Sequence, residues 1–113
     1  MEKFKVYDTR TPRLYVDTDN FIFAENIAKE HARNGHAVVI EDVQRAEKVA
    51  FFIGKYEVYQ NARGYSIRRK GKYNRWEYLK SIYKGEPAFI SDYTYQKHYT
   101  TLKAAAETAK RLK

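Results

Sequence analysis

Residues 64–80 read GYSIRRKGKYNRWEYLK. Six cations stand there among three tyrosines and a tryptophan, diluted by one acid, Glu77. The stretch divides into two short segments that alternate in polarity around GKYN, the pattern of a β-hairpin. Strand side chains point alternately to opposite faces. Tyr65, Ile67 and Arg69 therefore share one face, with Ser66, Arg68 and Lys70 on the other. Across the turn, Trp76, Tyr78, Lys80 and Ile82 share a face opposite Arg75, Glu77, Leu79 and Ser81. A hairpin of this kind belongs to an antiparallel sheet, and whichever side a helix covers, cations and rings remain on the other side or at its rim.

Working outward, FKVYD (4–8) and RLYVDT (13–18) read as strands separated by TRTP, whose proline lacks an amide donor. DTDN then offers capping side chains before a helical stripe of Ala24, Ile27, Ala28 and His31. Asn34-Gly35 ends that helix and HAVVIEDV (36–43) reads as a buried strand. Residues 44–50 read as a loop or a single helical turn. AFFIGKYEVYQN (50–61) holds one or two strands, RWEYLKSIY (75–83) another, and AFIS (88–91) closes the sheet. A polar aromatic connection, DYTYQKHYTT, leads to a second helix with Leu102, Ala105, Ala106, Ala109 and Leu112 at helical spacing. Its cap falls on Thr100 or Thr101, and cations at 110, 111 and 113 suit its negative end.

The expected fold is α+β: a two-layer, antiparallel sheet packed against two amphipathic helices, β-β-α-β then β-β-β-α, in a single domain over residues 1–113. Ile27 and Leu102 are expected to be buried. A lone tryptophan in so small a domain is expected to anchor the core, which puts Trp76 beneath the second helix.

With 113 residues, 43% hydrophobic and 32% charged, the chain is long enough to bury a core and too apolar to be disordered. It has no cysteine, which excludes disulfides, thiol nucleophiles and thiolate metal sites. MEKFKVYD lacks an apolar signal core, and the longest apolar run, 49–53, is too short for a bilayer, so the reading is cytoplasmic, without a membrane. The net charge of +8 is unevenly spread. Residues 1–54 carry eight basic and nine acidic residues, a net −1; residues 55–113 carry fourteen and five, a net +9, with nine of the eleven tyrosines. Such asymmetry points to nucleic acid or another anionic partner.

Lysine and arginine neutralise phosphates and release counterions, and aromatic rings stack on unpaired bases. The candidate contacts are Arg63, Arg68, Arg69, Lys70, Lys72, Arg75, Trp76, Tyr78 and Lys80. The plainer alternative is a solvated hairpin whose tyrosines pack along lysine stems. No cofactor or metal is expected: no phosphate-cradling glycine loop is present, the five glycines being scattered; the three histidines are poor ligand candidates, and Asp17 and Asp19, which could hold a cation, read as helix caps. His31 reads as a core residue and His36 as surface. Ser91, Asp92 and His98 could be drawn as a nucleophile set, but no Gly-x-Ser-x-Gly elbow surrounds Ser91. The expectation is a non-enzymatic protein.

From Tyr56 to Leu112, strands followed by a turn-rich link and TLKAAAETAKRL resemble the small three-strand-plus-helix DNA-binding domains of phage integrases. That resemblance implies a sheet laid in the major groove, with Arg68, Lys70, Arg75, Trp76, Tyr78 and Lys80 at the contacting positions. Residues 1–50 have no place in that family. The KHYTTLKAAAETAKRL ending also resembles small phage accessory proteins, some of them anti-CRISPR or other anti-defence inhibitors. Three expectations follow: a phage or mobile-element protein that binds DNA or RNA; an inhibitor of a host protein or ribonucleoprotein; and, resembling another family, a compact RelE-type ribonuclease toxin.

Overall fold

A computed structural model describes residues 3–11 and 13–112. Pro12 and Lys113, to which the sequence assigns a strand break and a helix-end charge, lie outside them. The chain is α+β, and among the described residues every strand ladder is antiparallel. It forms two compact units, Met1–Lys55 and Tyr56–Lys113.

The first unit runs β1 (Phe4–Asp8), β2 (Leu14–Thr18), α1 (Phe21–Arg33), β3 (Val38–Asp42) and β4 (Glu47–Ile53), with strands in the order β2-β1-β3-β4. Asn20 caps α1, its Oδ1 accepting the Phe23 amide at 3.0 Å, and Gly35 leaves the helix with a φ of 91° that favours glycine. The residues that α1 buries are Ala24, Ala28 and Ala32, against Val6, Val38, Ile40, Ala50 and Phe52. Alanines let the helix axis approach the sheet closely, so the bulk of the core comes from the strands. Ile27, expected in the core, is only half-buried beside it. His31 likewise lies at the margin, its ring stacked 3.7 Å from that of Tyr15. Asp8 is buried, and its carboxylate accepts from the Arg10 amide at 2.8 Å, the Tyr15 hydroxyl at 3.2 Å and His36 Nδ1 at 3.0 Å. These donors, the Arg10 amide foremost, hold its carboxyl below the usual aspartate range.

The second unit runs β5 (Tyr56–Asn61), β6 (Gly64–Lys70), β7 (Trp76–Tyr83), β8 (Glu86–Ile90) and α2 (Leu102–Arg111), with strands in the order β5-β6-β7-β8. Each unit has one strand more than expected. Residues 47–50 belong to β4, entered through a tight turn in which Asp42 Oδ1 accepts the Arg45 amide and Ala46 takes a φ of 51°. AFFIGKYEVYQN is two strands, turning at Gly54 (φ 55°). α2 is capped by Thr101, whose hydroxyl accepts the Ala104 amide at 3.1 Å. It rests on β5 and β6, and its buried Ala105, Ala106 and Ala109 accompany the fully buried Val58, Ile67 and Leu79 of the strands. Leu102, at its first turn, is half-buried rather than buried.

β6 pairs with β7 only over Arg68–Lys70, which frees the other half of its edge. Tyr99 takes that place, exchanging backbone hydrogen bonds of 2.7 and 2.8 Å with Tyr65. The approach is possible because Gly64 has no side chain: at its φ of 123°, a Cβ would run into the Tyr99 carbonyl. Gly64→Ala is therefore expected to destabilise the protein by more than about 1 kcal/mol, since both conformation and space oppose it. Denaturant titration against wild type measures this.

Candidate nucleic-acid interface

Two faces of the second unit have different chemistry. Val58, Ile67 and Leu79 share the apolar one. The opposite face, fixed by the pairs Glu57–Arg68, Tyr59–Ser66, Arg68–Tyr78 and Lys70–Trp76, is polar and aromatic. Trp76 stands on this second face and is half-buried, not in the core beneath α2. Part of the face is covered by residues 92–99. There Gln96 Oε1 accepts from the Tyr59 hydroxyl, His98 Nδ1 lies 3.2 Å from Ser66 Oγ, and Tyr93 sets its ring edge-on to Tyr78 at 6.3 Å. Burial, above all, pushes the Tyr59 hydroxyl above its ordinary pKa.

The sequence groups the candidate cations as one set, but the structure divides them. Arg68 has its guanidinium 3.9 Å from the Trp76 ring centre and 4.4 Å from that of Tyr59, and 3.6 Å from Glu57 Oε1. Its side chain is 20% exposed and that of Glu57 only 10%. Arg69 bonds Glu77 through Nε at 2.9 Å and lies 3.8 Å over Phe89. Lys70 stands 4.0 Å over Trp76 and donates to the Asn74 carbonyl at 3.3 Å. Cation–π contacts of this kind, partly desolvated, are worth about 1–2 kcal/mol. Arg68 and Arg69 thus knit the sheet, and the Trp76 ring is occupied by the protein's own cations rather than open for a base.

Arg63, Lys72, Arg75 and Lys80 are exposed, and among the described residues they form no ion pair. Lys72 and Arg75 flank the tip of the β6–β7 hairpin. Between them is Tyr73, 91% exposed and with a φ of 60°. A bulky residue in the left-handed region costs roughly 1–2 kcal/mol, and glycine would avoid the strain. Tyr73 is absent from the sequence-based candidates because periodicity says nothing about a turn. Its one signal there is an aromatic among cations where turn residues are usually small and polar. Tyr78, half-buried between Tyr59 and Tyr93, contributes to packing.

Ser91, Asp92 and His98 do not assemble as a catalytic set. Asp92 Oδ1 accepts the Thr94 amide at 2.9 Å, and hydrogen bonds from Thr94 hold its carboxyl below the usual range. His98 is directed to Ser66, which is fully buried. Among the described residues no three histidine, cysteine or acidic side chains gather as a metal site, and no helix is long and apolar enough to cross a membrane.

No protein-family model, curated protein or solved structure matches this chain.

Proposed function

We propose that this is a non-enzymatic nucleic-acid-binding accessory protein of a phage or mobile element, built on a two-layer scaffold. One observation carries the reading. Met1–Lys55 contains nine basic and nine acidic residues, so the whole net charge of +8 belongs to Tyr56–Lys113. Among the candidate cations of that unit, those free to meet a phosphate are Lys72 and Arg75 at the hairpin tip, Lys80 on β7 and Arg63 beside β6. Exposed cations without internal acidic partners neutralise phosphates at little desolvation cost, and their counterions are released on binding. Tyr73 adds an exposed ring at the tip, held in a strained backbone conformation of the kind that clusters at binding sites.

Titration of labelled single-stranded and duplex oligonucleotides at low salt tests the proposal. Binding that weakens steadily as salt is raised is expected. Absence of binding to either strand form at low salt overturns it.

A second reading, an inhibitor that docks on a host protein or ribonucleoprotein, draws on the first unit, whose charges cancel. Leu14, Ile22 and Phe23 are exposed there, Ile22 at 69%. It becomes the better account if the protein binds no oligonucleotide.

A further inference from the structure

Beside the polar face of the second unit lies a cleft of about 300 Å³, walled by Asn61, Arg63, Tyr93, Thr94, Gln96 and His98. This is at the lower end of ligand-cleft sizes, roughly 300–1,000 Å³. Several of its polar atoms already have partners within the protein. Asn61 Oδ1 accepts the Arg63 amide at 2.9 Å, and Asn61 Nδ2 donates to Ser66 Oγ at 2.9 Å. Ser66 Oγ, which has two lone pairs, accepts that bond and lies 3.2 Å from His98 Nδ1, a contact that either partner can donate. Gln96 Oε1 is taken by the Tyr59 hydroxyl, leaving the amide NH2. The neighbouring Asp92 carboxylate is turned to the Thr94 amide. Asn61 Oδ1 and Gln96 Oε1 thus each accept a bond from within the protein. The donors left to meet a ligand are the Arg63 guanidinium and the Gln96 amide protons, with the second ring nitrogen of His98 and the Tyr93 and Thr94 hydroxyls in the same walls. At the rim, Tyr93 offers a ring that is 65% exposed and set at 68° to Tyr78.

We propose that this cleft seats one unpaired nucleotide of a single-stranded nucleic acid. Its phosphate oxygens accept from Arg63 and Gln96, and its base stacks on Tyr93. A duplex cannot present a base to the cleft without unstacking it. This inference rests on the nucleic-acid reading and sharpens it, because it assigns single-strand preference to the cleft and strand-independent attraction to the hairpin tip.

Fluorescence anisotropy with labelled oligo(dT) and a labelled duplex tests it on the full chain. Tyr93→Ala is expected to weaken oligo(dT) binding roughly tenfold or more and to leave duplex binding unchanged, while Tyr93→Phe, which keeps the ring, binds as wild type. Arg63→Ala is expected to lower the slope of log affinity against log salt for the single strand by about 0.7. Wild-type binding that Tyr93→Ala leaves intact, or weakens equally for both strand forms, overturns the cleft and leaves the hairpin reading standing. A loss in Tyr93→Phe equal to that in Tyr93→Ala overturns it too. If wild type binds neither probe, both readings fall together.

Discussion

Arg68→Ala is expected to destabilise the protein by roughly 3 kcal/mol, the lower end of what breaking a buried ion pair costs. The guanidinium lies close to two rings, Tyr59 and Trp76, beside a Glu57 carboxylate that is nine-tenths buried. Removing it takes a charge from beside that carboxylate and withdraws a flat group from the two rings. Arg68→Lys keeps the charge but not the planar guanidinium, so it is expected to recover only part of the loss. Denaturant titration of both variants measures this, with unfolding followed by emission of Trp76, the only tryptophan. If Arg68→Ala unfolds at the wild-type midpoint, the arginine has no structural task and is available to a ligand.

Ile67→Ala is expected to cost about 2–5 kcal/mol. Ile67 is fully buried, paired with the equally buried Val58, in the layer that α2 covers. Against a typical stability of about 5–15 kcal/mol, such a loss approaches unfolding. Ile27→Ala, by contrast, removes a half-buried side chain and is expected to cost distinctly less, about 1 kcal/mol. Equal losses from the two variants would mean that α1 and the second unit's core do not pack as described.

Much of this architecture can be read from the sequence because its signals are local. Asn34-Gly35 and Thr101 end and start helices through their own side chains and backbone. The two-residue period groups Arg68 with Lys70 and Trp76 with Tyr78 within their own strands, but it is the strand register that puts both pairs on one face, where the sequence reading sets Trp76 opposite Arg68 and Lys70. What cannot be read depends on partners distant in the chain. Glu57 and Glu77 are visible in the sequence, but only the strand register shows that they neutralise Arg68 and Arg69. A count of cations therefore overstates the surface available to phosphate. β4 is hidden because Arg45-Ala46-Glu47-Lys48 looks like a loop, and the left-handed turn at Ala46 has no glycine to mark it. The alanine stripes are legible, but which large residues fill the space they leave is not. Ile27 and Leu102 sit at the margins of helices whose buried faces are alanine. The cleft has no sequence signature, since its walls come from the β5–β6 turn and from a connection more than thirty residues away.

The division of the cations into structural and free sets decides the account, and salt dependence measures it most directly. Lys72, Arg75 and Lys80 changed together to Ala should leave the unfolding midpoint close to that of wild type, because all three are exposed and without ion pairs among the described residues. The slope of log affinity against log salt should fall by about 2–3, at roughly 0.7–0.9 for each phosphate no longer neutralised. A wild-type slope in that triple variant would contradict the claim that the second unit meets nucleic acid through these free cations.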